Sequence, residues 1–130
     1  MHESIETKID QYFDWIINQL ARGNTIEKIK NGIKFHEFEK VKEWQSKYGF
    51  HFHIFPNDHF INGKPHFHLI KKSEEIECRI FFDGEIYDYK GRGILDRKTK
   101  DALAFFLESQ TQQNHLEELW NKNNPQCILK

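Results

Sequence analysis

Apolar side chains recur every three to four residues at both ends of this chain and every second residue in its middle. Ile5, Ile9, Tyr12, Phe13, Ile16, Ile17 and Leu20 form one stripe at helical spacing, and Gly23 follows where a helix would stop. Thr25 is placed to cap a short second helix running to Lys30 and ended by Asn31-Gly32. Phe38, Val41, Trp44 and Tyr48 give a third amphipathic stripe, closed by Gly49. These stripes predict helices with one core-facing side each. From residue 50 the period becomes two. His51-Phe52-His53 and His66-Phe67-His68 flank Asn62-Gly63, a dipeptide that accepts the positive φ angles of a type I′ hairpin turn. Successive side chains on a strand point to opposite faces. Each histidine pair therefore shares one face, and Phe50, Phe52, Ile54, Phe67 and Leu69 take the other.

Register follows from setting apolar residues opposite apolar ones. A turn at Asn62-Gly63 sets Ile61 against Lys64 and His59 against His66, with Pro56 and Pro65 interrupting the ladder. A connection over residues 72–75 sets Leu69 against Cys78 and Phe67 against Ile80, and therefore His68 against Arg79 and His66 against Phe81. Asp83-Gly84 is a second tight turn, setting Phe82 against Glu85, Ile80 against Tyr87 and Arg79 against Asp88. One sheet face then reads Phe50, Phe52, Ile54, Phe67, Leu69, Cys78, Ile80 and Tyr87. The other reads His51, His53, His66, His68, Glu77, Arg79 and Asp88. Asp96 caps a helix carrying Leu103, Phe106 and Leu107. A short last helix carries Leu116, Leu119 and Trp120, and the tail beyond Asn123 is expected to fray. The fold class expected is α+β in a single domain. Residues 1–48 form a helical N-terminal extension, and residues 49–123 form an antiparallel meander of about four strands with helices packed on its apolar face.

Composition narrows the classes. A chain of 130 residues can bury a real core, and 15% aromatic residues, twelve of them Phe, oppose disorder despite 30% charged residues. A net charge of −1 gives no bulk electrostatic pull toward nucleic acid or membrane, although Lys71-Lys72 and the stretch 90–100 offer local cations. No run is long enough for a membrane span, and Glu3 and Glu6 argue against a secretory signal. Cys78 and Cys127 are isolated, which fits free thiols and a cytoplasmic location.

The chemistry resides on the histidine face. Two imidazoles beside an arginine can cleave a phosphodiester without metal. His66 and His68 would act as base and acid, Arg79 would grip the phosphate, and Asp88 would hold the guanidinium. His51, His53, His59 and Glu77 would line the ligand side of such a site. The same face can instead hold zinc or another divalent ion through His51, His53, His66 and His68, with Asp88 or Glu77 completing or orienting the shell. A third reading needs neither: a polar face, solvated or covered by a partner, with Arg79–Asp88 an ordinary cross-strand ion pair. Known histidine motifs fit poorly. The third histidine of the nucleotide-hydrolase triad is Phe55 here, and the His-x-Thr or His-x-Ser pairs of two-histidine phosphoesterases are His-x-His. There is no P-loop, nucleophile elbow or dinucleotide fingerprint.

From about residue 55 to 120 the chain also resembles a family of small bacterial proteins of unknown function with a Pro-Pro-His-Phe-His-like motif. The matching residues are Pro65-His66-Phe67-His68, Asp83-Gly84, Gly93-Ile94-Leu95 and Glu117-Glu118-Leu119-Trp120, with Lys64 replacing the first family proline. The resemblance implies a soluble bacterial or phage-associated protein, often encoded beside a small partner in toxin–antitoxin-like arrangements. It supplies no reaction, so catalytic roles are not carried over. The expected partners are accordingly a small protein, RNA or a small anionic ligand, with no membrane. The expected function is action through the His/Arg face, in metal-independent RNA cleavage, in non-catalytic binding or regulation, or in metal binding.

Overall fold

In the computed structural model of the chain, which describes residues 4–32 and 48–129, the helical stripes form the helices their spacing predicts. Helix α1 spans Ile5–Ala21, its N-terminus capped by Ser4 Oγ accepting the Thr7 N–H at 3.2 Å. Helix α2 spans Ile26–Gly32, with Thr25 Oγ1 accepting the Lys28 N–H at 3.2 Å. Of the third expected helix, residues 38–47 lie outside the described residues.

Strands β1 (His51–His53), β2 (His66–Lys71), β3 (Ile76–Phe81) and β4 (Ile86–Tyr89) form one antiparallel sheet in the order β1-β2-β3-β4. The β2–β3 register is the expected one, with Phe67 opposite Ile80, His68 opposite Arg79 and Leu69 opposite Cys78. Helices α3 (Arg97–Leu107) and α4 (Gln110–Asn123) follow, capped by Asp96 and Ser109. Phe13 of α1 and Phe106 of α3 pack on Phe52, which stacks on Phe67 at 5.0 Å, so the helices cover the apolar sheet face. The result is an α+β fold, and no described helix is long and apolar enough to cross a membrane.

Four details differ from expectation. Asn62 and Gly63 do take positive φ, 53° and 75°, but the turn carries a single bridge, Ile61 with Lys64. His59 does not pair with His66. Instead β1 pairs with β2 through His53 opposite His68, and residues 54–65 form a long connection. Pro65 has no N–H to donate and Pro56 stands at the other end, so a ladder cannot extend across this stretch.

Second, the β3–β4 pairing carries a bulge between Arg79 and Ile80, so Ile80 faces Ile86 rather than Tyr87. The extra residue moves Tyr87 off the apolar face. It lies exposed under the Arg79 guanidinium, 4.9 Å from its ring centroid. The turn itself is one residue wider than expected: the Phe81 N–H, not Phe82, bonds the Glu85 carbonyl.

Third, the last helix has 14 residues rather than a short turn or two. Fourth, the tail beyond it is tied down. Asn124 is fully buried, residues Pro125–Cys127 form a 3-10 turn, and Trp120 Nε1 donates to the Cys127 carbonyl at 2.7 Å.

Candidate functional site

Strand β2 places His66 and His68 on the sheet face opposite Phe67 and Leu69, because alternate residues share a face. Neither is solvated. Their exposures are 1% and 4%, with the 54–65 connection and the end of α4 both lying against them. The Phe55 ring meets His68 edge-on at 4.5 Å, and Trp120 meets His66 at 5.8 Å. The open polar face expected from alternation is thus closed over these two rings by a loop and by Trp120 of α4, neither of which alternation places there.

That loop brings in a residue the spacing argument missed. Asp58 Oδ2 lies 3.4 Å from His66 Nε2 and 3.7 Å from His68 Nε2. One donor atom from each of the three residues falls within 4.8 Å of the others. Both contacts are longer than a hydrogen bond between such atoms, and Asp58 Oδ2 has no hydrogen-bond partner. On the far side of His68, Nδ1 faces Glu77 Oε2 at 3.6 Å, also beyond hydrogen-bond distance. Burial pushes the pKa of both histidines below the ordinary value. The Asp58 carboxylate opposes this, while Arg79 reinforces it at His66 and His66 at His68. Burial thus favours the neutral ring, the form in which imidazole ligates a metal.

The remaining expected residues are distributed otherwise. Arg79 and Asp88 face each other as expected, with Nε and Nη2 bonded to the two carboxylate oxygens at 2.8 and 2.5 Å. That pairing lifts the guanidinium pKa and lowers the carboxyl pKa. It engages the Nε–Nη2 edge of the guanidinium, the holding role expected of Asp88. His51 is drawn out of the group by α1. Its Nδ1 lies 3.0 Å from Asp10 Oδ2, while Asp10 Oδ1 accepts the Phe52 N–H at 2.8 Å. His53 is exposed, with its ring against Phe55 at 4.2 Å, and His59 is exposed in the connection; neither joins the Asp58 cluster.

The signal that could have found Asp58 is slight. It is the only carboxylate between the two histidine pairs, next to Asn57, which adopts a left-handed φ of 61°. Comparisons of the chain with protein-family models, with curated proteins and with solved structures return no match.

Proposed function

We propose that this is a divalent-metal protein whose ion is held by Asp58, His66 and His68. One observation carries the reading. Among the described residues, the buried side-chain atoms without a hydrogen-bond partner are Asp58 Oδ2, both ring nitrogens of His66, His68 Nδ1 and Asn124 Nδ2. Three of the four residues make up the cluster, and the fourth bonds the Asp58 backbone. Two of these atoms, Asp58 Oδ2 and His66 Nε2, face each other within the cluster, and buried polar groups are almost always paired, so this pair asks for a shared partner. Two of the three donor separations suit a cation. With metal–ligand bonds of about 2.0–2.2 Å, tetrahedral donors lie roughly 3.3–3.6 Å apart, against the 3.4 and 3.7 Å measured from Asp58 Oδ2 to the two histidines.

Imidazole and carboxylate donors without thiolate suit zinc, iron(II) or manganese. Glu77 stands behind His68, where a carboxylate commonly orients a ligating histidine, at 3.6 Å and without a hydrogen bond to it. An ion held by these three donors alone would keep room for water or substrate, as catalytic sites do and closed structural sites do not. The chemistry an ion supplies there is Lewis-acid activation of water for hydrolysis. The Arg79–Asp88 pair that metal-free phosphodiester cleavage would use is not part of the Asp58 cluster.

Chelator-stripped protein titrated with Zn2+ tests the proposal. One equivalent should bind, and Asp58→Ala, His66→Ala and His68→Ala should each abolish stoichiometric uptake, while Arg79→Lys leaves it intact. Wild-type protein that takes up no metal would overturn the reading. RNA cleavage that persists in chelator and fails in Arg79→Lys would restore the metal-free alternative.

A further inference from the structure

We propose that Asn124 is a positioning residue of this centre. It sets the Asp58 carboxylate for the ion, through the backbone, from 66 positions further along the chain. The proposal rests on the metal reading above. His66 and His68 need no such help, because the β2–β3 ladder fixes both and the β1–β2 ladder also holds His68. Asp58 has no ladder: the 54–65 connection carries only the Ile61–Lys64 bridge.

What holds the Asp58 region is the end of the chain. The Asn57 N–H donates to the Asn123 carbonyl at 3.3 Å, and the Asp58 N–H donates to Asn124 Oδ1 at 2.5 Å. Asn123 Nδ2 donates to the Ile54 carbonyl at 2.7 Å, and Gln126 Nε2 to the Asp58 carbonyl at 3.2 Å. Both backbone polar groups of Asp58 are thus taken by the tail.

Asn124 can serve as the anchor because it is itself fixed. It is fully buried, its N–H bonds the Trp120 carbonyl at 2.8 Å, and its own carbonyl accepts from Cys127 at 2.9 Å. The Phe60 ring, two residues past Asp58, stacks on Trp120 at 5.4 Å and pins the same loop to the same helix end. The carboxylate donor is therefore presented by α4 and the turn after it, whereas the two imidazole donors are presented by the sheet. Residues that orient a metal ligand without touching the ion typically govern affinity by about 10–100-fold. Because coupling between sites is reciprocal, ion binding must in turn strengthen docking of the tail.

The test uses Co2+ alone as probe, with the full chain, reading both affinity and the visible ligand-field spectrum. Wild type should bind one equivalent. Asn124→Leu keeps the volume but removes the acceptor, and it should bind at least about 10-fold more weakly. Its spectrum should shift toward that of Asp58→Asn, because the carboxylate is no longer held in place. Weaker binding with an unaltered spectrum would mean a merely structural role and would overturn the proposal, as would wild-type affinity. If Asn124→Leu does not fold, Gln126→Ala reads the same clamp from an exposed position. It should weaken Co2+ binding and move the spectrum in the same direction, and wild-type behaviour there would overturn the proposal. Wild-type protein that binds no Co2+ would instead defeat the metal centre itself, an outcome distinct from failure of Asn124 alone.

Discussion

His66 and Phe67 are neighbours in sequence, both almost fully buried, and they differ in what their burial contributes. Phe67 packs between the Phe52 and Phe82 rings, at 5.0 and 6.2 Å. Phe67→Ala leaves a cavity and should cost about 3–5 kcal/mol. In metal-free protein His66 has both ring nitrogens unpaired, so His66→Ala removes a desolvation penalty along with its packing. It should cost much less. Urea melts of the two variants in chelator give the comparison, and an equal loss would mean that His66 has a partner. Arg79 belongs to the surface by contrast. Its ion pair with Asp88 is partly exposed, so Arg79→Lys should change stability by less than about 1 kcal/mol. Thermal melts check this.

Within the elements, two features make narrower demands. After β4 the chain runs hard against the β2–β3 connection. A Cβ on Gly93 would collide with the Glu74 carbonyl oxygen and lie 2.8 Å from Ile76 Cγ1. Lack of space, rather than an unusual backbone angle, requires glycine here. Gly93→Ala should cost about 1–3 kcal/mol or more in a denaturant melt. The N-terminus of α3 depends on Asp96, whose Oδ1 accepts the Thr99 N–H at 2.8 Å. Asp96→Ala should cost about 1 kcal/mol at pH 7. That hydrogen bond holds the Asp96 pKa below the usual carboxylate value. The folded-state pKa is therefore lower than the unfolded one, and the stabilisation is complete above about pH 3.9 and lost as pH falls through the folded value. The gap between wild type and Asp96→Ala should shrink accordingly in melts run at falling pH.

For the molecule as a whole, a ligand that binds only the folded state stabilises it. At about 100-fold excess over Kd the gain is about 2.7 kcal/mol, which for a chain of this size raises Tm on the order of 10 °C. Zn2+ should produce that rise in wild type and not in Asp58→Ala, as differential scanning fluorimetry would read. How much was legible beforehand depended on the range of the interaction concerned. Alternation fixed the faces of β2 and β3, and apolar matching fixed their register, because a slip of one residue would turn Phe67 and Leu69 out of the core. Helical spacing placed α1 and α3, and a short polar side chain at Asp96 marked where α3 begins. The bulge that moves Tyr87 leaves no mark in alternation, since one unpaired residue shifts everything after it. The sequence by itself determined that His66 and His68 share a sheet face. Only the tertiary structure decided that this face is closed over them, that Asp58 is the third member and that Asn124 holds it there. The physical reason is that periodicity reports which way a side chain points within its own element. The placement of a loop carboxylate depends instead on hydrogen bonds to a tail 66 residues away, which no local pattern encodes.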